Sequence, residues 1–144
     1  MYDNVIDPIH YNWHPSGVET KEVTDALPSW IGYAIAYIWR RNHKGRPIDD
    51  RIKAIEWLNE ATPERFRALH WALTPEVVNT FMGIEPEPDS LLYDVRVLIT
   101  GSLLGIEYPA WQQIVDRLKS DLQYELDELT VAGHDSSFNI YKEQ

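Results

Sequence analysis

The ten residues Trp30 to Trp39 (WIGYAIAYIW) contain no charged side chain and are apolar apart from Gly32. A helix that is apolar on every side belongs in a core or a membrane. Ten residues fall well short of the roughly 20 that cross a bilayer. The run therefore predicts a helix buried among others. Directly after it come Arg40, Arg41, His43, Lys44 and Arg46, and then Arg51 and Lys53. A buried rod ending in cations fits two readings. The cations complement the negative end of the helix dipole, or they gather to hold an anion.

A chain of 144 residues suits one domain with its own core. With no cysteine there is no disulfide framework, no thiolate zinc site and no cysteine nucleophile. The start, MYDNVIDPIHYNW, has neither the basic nor the apolar region of a secretory signal, and no apolar run reaches membrane length. A cytoplasmic protein with no membrane partner is expected. The formal charge of −10 divides into −2 over residues 1–61 and −8 over 62–144, while 39–53 alone carries +4. An acidic body repels duplex nucleic acid as a main partner, whereas a small anion needs only a local cluster of cations.

Residues 1–20, broken by Pro8, Pro15 and Gly17, read as irregular, with a short helix over 20–27. The apolar helix follows from Pro28 to about Arg41, then a turn at Asn42–Gly45. A second helix over 48–61 shows Ile48, Ile52, Ile55 and Leu58 on one face, and Asp49 stands four residues before Lys53, a favourable ion-pair spacing. Thr62-Pro63-Glu64 and Thr74-Pro75-Glu76 each combine a cap residue, proline at the first helical position and an acid near the positive helix end. They predict short helices over 63–72 and 75–82, the second ended by Gly83. An acidic loop (Glu85-Pro86-Glu87-Pro88) leads to a helix from Asp89 or Ser90 to Leu104, in which Gly101 and Ser102 admit a close neighbour and Gly105 provides the stop. The last helix, 109–131, places Trp111, Val115, Leu118, Leu122 and Leu129 in a narrow stripe that suits one packing partner or a homodimer seam. No segment alternates over a strand's length. The expectation is an all-α fold, a single compact domain of about six or seven helices with an irregular N-terminal segment. Residues 62–132 pack on 1–61 as one unit, and 133–144 form a polar tail.

No P-loop, dinucleotide fingerprint, nucleophile elbow or zincin motif occurs. Any phosphoryl chemistry would rest on side-chain cations. His10 and His14 have metal-ligand spacing in a segment that makes a poor helix, and Asp121, Glu125 and Glu128 share a face of the last helix. Packing and a solvated acidic face account for these, so no metal site is assigned; magnesium would enter only as a nucleotide's companion. Arg40, Arg41, Lys44, Arg46 and Lys53 can converge within one helical hairpin, with Tyr11, Trp13, Tyr37 and Trp57 as flat faces for a base.

Pro8-x-His10-Tyr11, Gly17-Val18-Glu19, Tyr37-Ile38-x-Arg40, Lys44-Gly45 and Asp50-x-x-Lys53-Ala54, in that order, resemble the pattern of a family of short phage-encoded proteins labelled nucleotide kinase-like. The likeness covers about residues 7–60. Where that pattern has a lysine before the Tyr-Ile pair, this chain has Ala36. The resemblance implies a phage protein acting in the cytoplasm of an infected bacterium, with a nucleotide as ligand. Charge and shape then suggest Tyr11, Arg40, Lys44, Arg46 and Lys53 as nucleotide-binding residues, and His10, Glu19 and Arg40 as the groups nearest any chemistry. Phosphoryl transfer to a nucleoside monophosphate is the reaction expected of an enzyme here. The alternatives are a protein that holds a nucleotide signal without turnover, and an acidic inhibitor of a host protein. The narrow C-terminal stripe favours a homo-oligomer.

Overall fold

In the computed structural model, which describes residues 27–42, 45–82 and 89–132, the apolar run forms helix α1 (Ser29–Arg40). Pro28 precedes it, and its carbonyl accepts from the Gly32 amide at 3.0 Å. Trp30, Ile31, Ala34, Ile35, Ile38 and Trp39 are buried, but Tyr33 is 52% exposed and Ala36, Tyr37 and Arg40 lie at intermediate depth. The helix is therefore not buried all round. Tyrosine counts as apolar in a sequence, yet its hydroxyl is content at a wet surface.

Among the described residues five more helices follow: α2 Pro47–Leu58, α3 Pro63–Ala72, α4 Pro75–Met82, α5 Ser90–Leu104 and α6 Tyr108–Val131. No strand occurs among the described residues. The expected helix over 20–27, the Gly83 stop and the 133–144 tail lie outside them. Local chemistry sets the limits of these helices. Thr62 accepts from the Arg65 amide at 3.1 Å, and Thr74 from the Val77 amide at 3.2 Å. Gly105, at φ 82°, ends α5: its amide donates to the Ser102 carbonyl and that of Ile106 to the Gly101 carbonyl, the paired bonds of a Schellman motif.

Helix α1 packs on α2 and α5, and α6 packs on the same two, so the four long helices close a ring. The α3–α4 pair, which follows α2 in the chain, packs on α5, and α3 also touches α6. A continuous core runs through all six, from Leu27 to Leu122. The buried residues of α2 are Ile48, Asp50, Arg51, Ala54 and Leu58, so Ile48 and Leu58 of the predicted stripe are buried while Ile52 and Ile55 are only half-buried. Asp50, Arg51 and Ala54 widen the predicted stripe on the side where α2 meets α1 and α6, which the sequence of α2 alone does not specify. On α6 the buried residues are Trp111, Val115, Leu118, Leu122 and Leu126, with Leu129 at the margin. That stripe meets α2 and α5 of the same chain, so the residues offered as a homodimer seam are spent on the core. At Gly101 the close neighbour is not a second helix but Ile106, folding back over it. Ser102 instead meets α3: its carbonyl lies 2.6 Å from His70 Nδ1. A carbonyl only accepts, so that nitrogen carries the proton.

Candidate functional site

The cations after α1 divide into two groups. Adjacent residues on a helix point about 100° apart, and here that angle separates Arg40 from Arg41. Arg41 turns inward. It donates through Nη1 to the Ile38 carbonyl (2.8 Å) and Asp89 Oδ2 (3.1 Å), through Nη2 to Asp89 Oδ1 (2.9 Å), and through Nε to Glu125 Oε1 (2.9 Å). Arg51 reaches the same oxygen, Nε to Glu125 Oε1 at 2.8 Å. Its Nη1 donates to the Pro47 and Arg41 carbonyls at 2.8 and 3.2 Å, and its Nη2 to Asn42 Oδ1 at 2.8 Å. Asp89 also caps α5, accepting from the Leu91 and Leu92 amides. Two arginines and two carboxylates thus tie together all four helices of the ring.

Burial pulls the Arg41 pKa down, but Asp89 and Glu125 outweigh it and leave it raised. For Arg51 burial prevails over Glu125, with the Arg41 charge adding to it, and the pKa is lowered. Both remain cations at any working pH. Arg41, expected among the anion-binding cations, is therefore a structural clamp. Glu125 has its charge satisfied by arginine rather than by a metal, and among the described residues no three His, Asp or Glu side chains stand close enough to hold an ion.

Arg40 takes the other side of the hairpin, half-buried, with its side chain 15% exposed. Its Cζ sits 4.7 Å from the centre of the Tyr37 ring, and its Nε lies 3.6 Å from Asp50 Oδ2. Beside it, Tyr37, Arg40, Arg46, Asp49, Asp50, Ile52, Lys53 and Glu56 line a concavity of about 430 Å³ along the α1–α2 hairpin. Three of the expected ligand residues, Arg40, Arg46 and Lys53, share this one surface. His10, Tyr11, Glu19 and Lys44 lie outside the described residues. Lys53 pairs with Glu56 at 3.8 Å, on the following turn, where the sequence suggested Asp49. Charge reasoning alone understated the acids: Asp49, Asp50 and Glu56 balance the three cations in number. The surface is thus dense in charge but near neutral. It suits a ligand that offers an anion to guanidinium and ammonium groups and hydroxyl or amino donors to carboxylates.

Comparison with family models, curated proteins and solved structures returned no match to this chain. The likeness to the nucleotide kinase-like pattern rests on the quoted residues.

Proposed function

We propose that the protein binds a nucleotide on the α1–α2 hairpin, with its phosphates on Arg46, Lys53 and Arg40. The observation that carries this reading is the meeting of those three cations on one concave surface; the more open carboxylates beside them, Asp49 and Glu56, can accept from sugar hydroxyls or a base amino group. A nucleotide is the common small molecule that offers both kinds of group. Arg46 and Lys53 are exposed and can turn toward a phosphate. Arg40 is steadied by Tyr37 and Asp50, so less side-chain freedom is lost when it binds. The reading is of binding; phosphoryl transfer would place Arg40 as the cation facing the migrating charge.

The test is a thermal-shift and calorimetric panel over mono-, di-, tri- and cyclic nucleotides. A ligand at a hundred times its dissociation constant adds about 2.7 kcal/mol of stability. Arg46→Ala and Lys53→Ala should each weaken that ligand about tenfold without changing the melting temperature of the free protein. If no nucleotide shifts the melt, or if both variants bind as the wild type does, the proposal fails.

A further inference from the structure

The α1–α2 hairpin has a register that can be read from its contacts. Arg40 pairs with Asp50 across the two helices, and Tyr33 meets Trp57, ring centroids 5.0 Å apart and tilted by 36°. Both pairs fit one antiparallel alignment, which sets Tyr37 opposite Lys53 between them. Residues four apart lie one above the other on a helix face. Tyr33 therefore continues the face of Tyr37, and Trp57 continues that of Lys53. The aromatic pair lies beyond the lining of the charged concavity, on the same side of the hairpin and one turn further from its closed end. Tyr33 is among the large apolar side chains the fold leaves open to solvent, and Trp57 is half-buried against the core.

We infer that the Tyr33–Trp57 pair is the base-stacking platform of this surface, and that the ligand is a nucleoside di- or triphosphate lying along the hairpin with its base on Tyr33 and its phosphates toward Arg46. This rests on the proposed nucleotide site and assigns its polarity and length. Four residues of helix, a rise of about 6 Å, separate Tyr33 from Tyr37 and Trp57 from Lys53. The sugar spans that turn, beside the Glu56 carboxylate, which accepts a ribose hydroxyl. The first phosphate then reaches Lys53, and those beyond it reach Arg40 and Arg46 nearer the turn. A monophosphate on the same platform would leave Arg46 without a partner. Stacking on an aromatic face tolerates any base, because every base presents a π surface, so discrimination among bases should be weak.

The test compares ADP, ATP, AMP, ribose 5-phosphate and inorganic tripolyphosphate on the full-length protein by calorimetry. ATP and ADP should bind at least tenfold more tightly than either AMP or tripolyphosphate. Tyr33→Ala should remove about tenfold or more of the ATP affinity, the usual scale for one base–aromatic contact, and leave tripolyphosphate unchanged; Tyr33→Phe should restore ATP binding. Tyr33→Leu, which keeps apolar bulk but no flat ring, should behave as Tyr33→Ala and guards against a folding defect. If Tyr33→Ala and Tyr33→Leu bind ATP like the wild type, or tripolyphosphate binds as tightly as ATP, the platform is wrong while the phosphate site stands. If neither tripolyphosphate nor any nucleotide binds, the phosphate site and the platform fall together.

Discussion

A single carboxylate, Glu125, serves two guanidinium groups whose side chains are almost wholly buried. Removing one partner of such a set strands the other charges, and the loss exceeds anything the intact pair contributes. Arg41→Met should therefore cost about 3 kcal/mol, at the low end for a buried pair because Asp89 and Glu125 still touch water. Chemical denaturation would show this as a lower midpoint with an unchanged slope. Asp89 permits a finer dissection. Asp89→Asn removes its charge from Arg41 but keeps a good helix cap, whereas Asp89→Ala removes both and should cost about 1 kcal/mol more. Asp121 is the opposite case. Burial and the neighbouring charges of Asp94 and Glu125 raise its pKa, with Arg117 opposing them. The folded state then holds its proton more tightly than the unfolded chain, so stability falls as pH rises through the interval just above the ordinary value of 3.8. Asp121→Asn should remove that fall and raise the melting temperature at neutral pH, as melts between pH 4 and 7 would show.

At the scale of the element, the glycines of α5 separate two roles. Gly105 holds a left-handed conformation with open space around it, so Gly105→Ala suffers only backbone strain and should destabilise by about 1 kcal/mol. Gly101 is helical, and an added methyl would come within 2.9 Å of Ile106 Cδ1. That atom is the end of a flexible side chain and can swing aside, and alanine favours the helix by about 1 kcal/mol. Gly101→Ala should be close to neutral. The same contrast explains what could be read in the sequence. Caps and stops are local, and the Thr-Pro-Glu pairs and Gly105 disclosed α3, α4 and the end of α5. The buried face of α2 depends on which helices flank it, so Ile52 drew notice that belonged to Arg51 and Ala54. The Arg41 clamp joins residues 48 and 84 positions away, beyond any local pattern. At the candidate site, Arg40, Arg46 and Lys53 stand out because charge marks them, whereas nothing in the apolar run distinguishes the exposed Tyr33 from the buried Trp30 and Trp39.

For the molecule as a whole, the closed ring decides what α6 can do. Leu118 is fully buried against the chain's own helices. Leu118→Asn should abolish cooperative unfolding, which circular dichroism would show as a melt without a sharp transition. No helix among the described residues is long and apolar enough to cross a membrane. The α1–α2 hairpin carries the candidate site on its outer side, and the clamp fastens its closed end from within. Arg40 and Arg41 are consecutive, the first beside the concavity and the second in the clamp, so a shift of the backbone there reaches both. Sequence drift is constrained accordingly. Positions 41, 51, 89 and 125 form a quartet centred on the shared Glu125, and a change of sign at any one of them sets like charges side by side around two buried guanidinium groups. Any route to a different chemistry at the neighbouring Arg40 must either leave that quartet untouched or replace it wholesale.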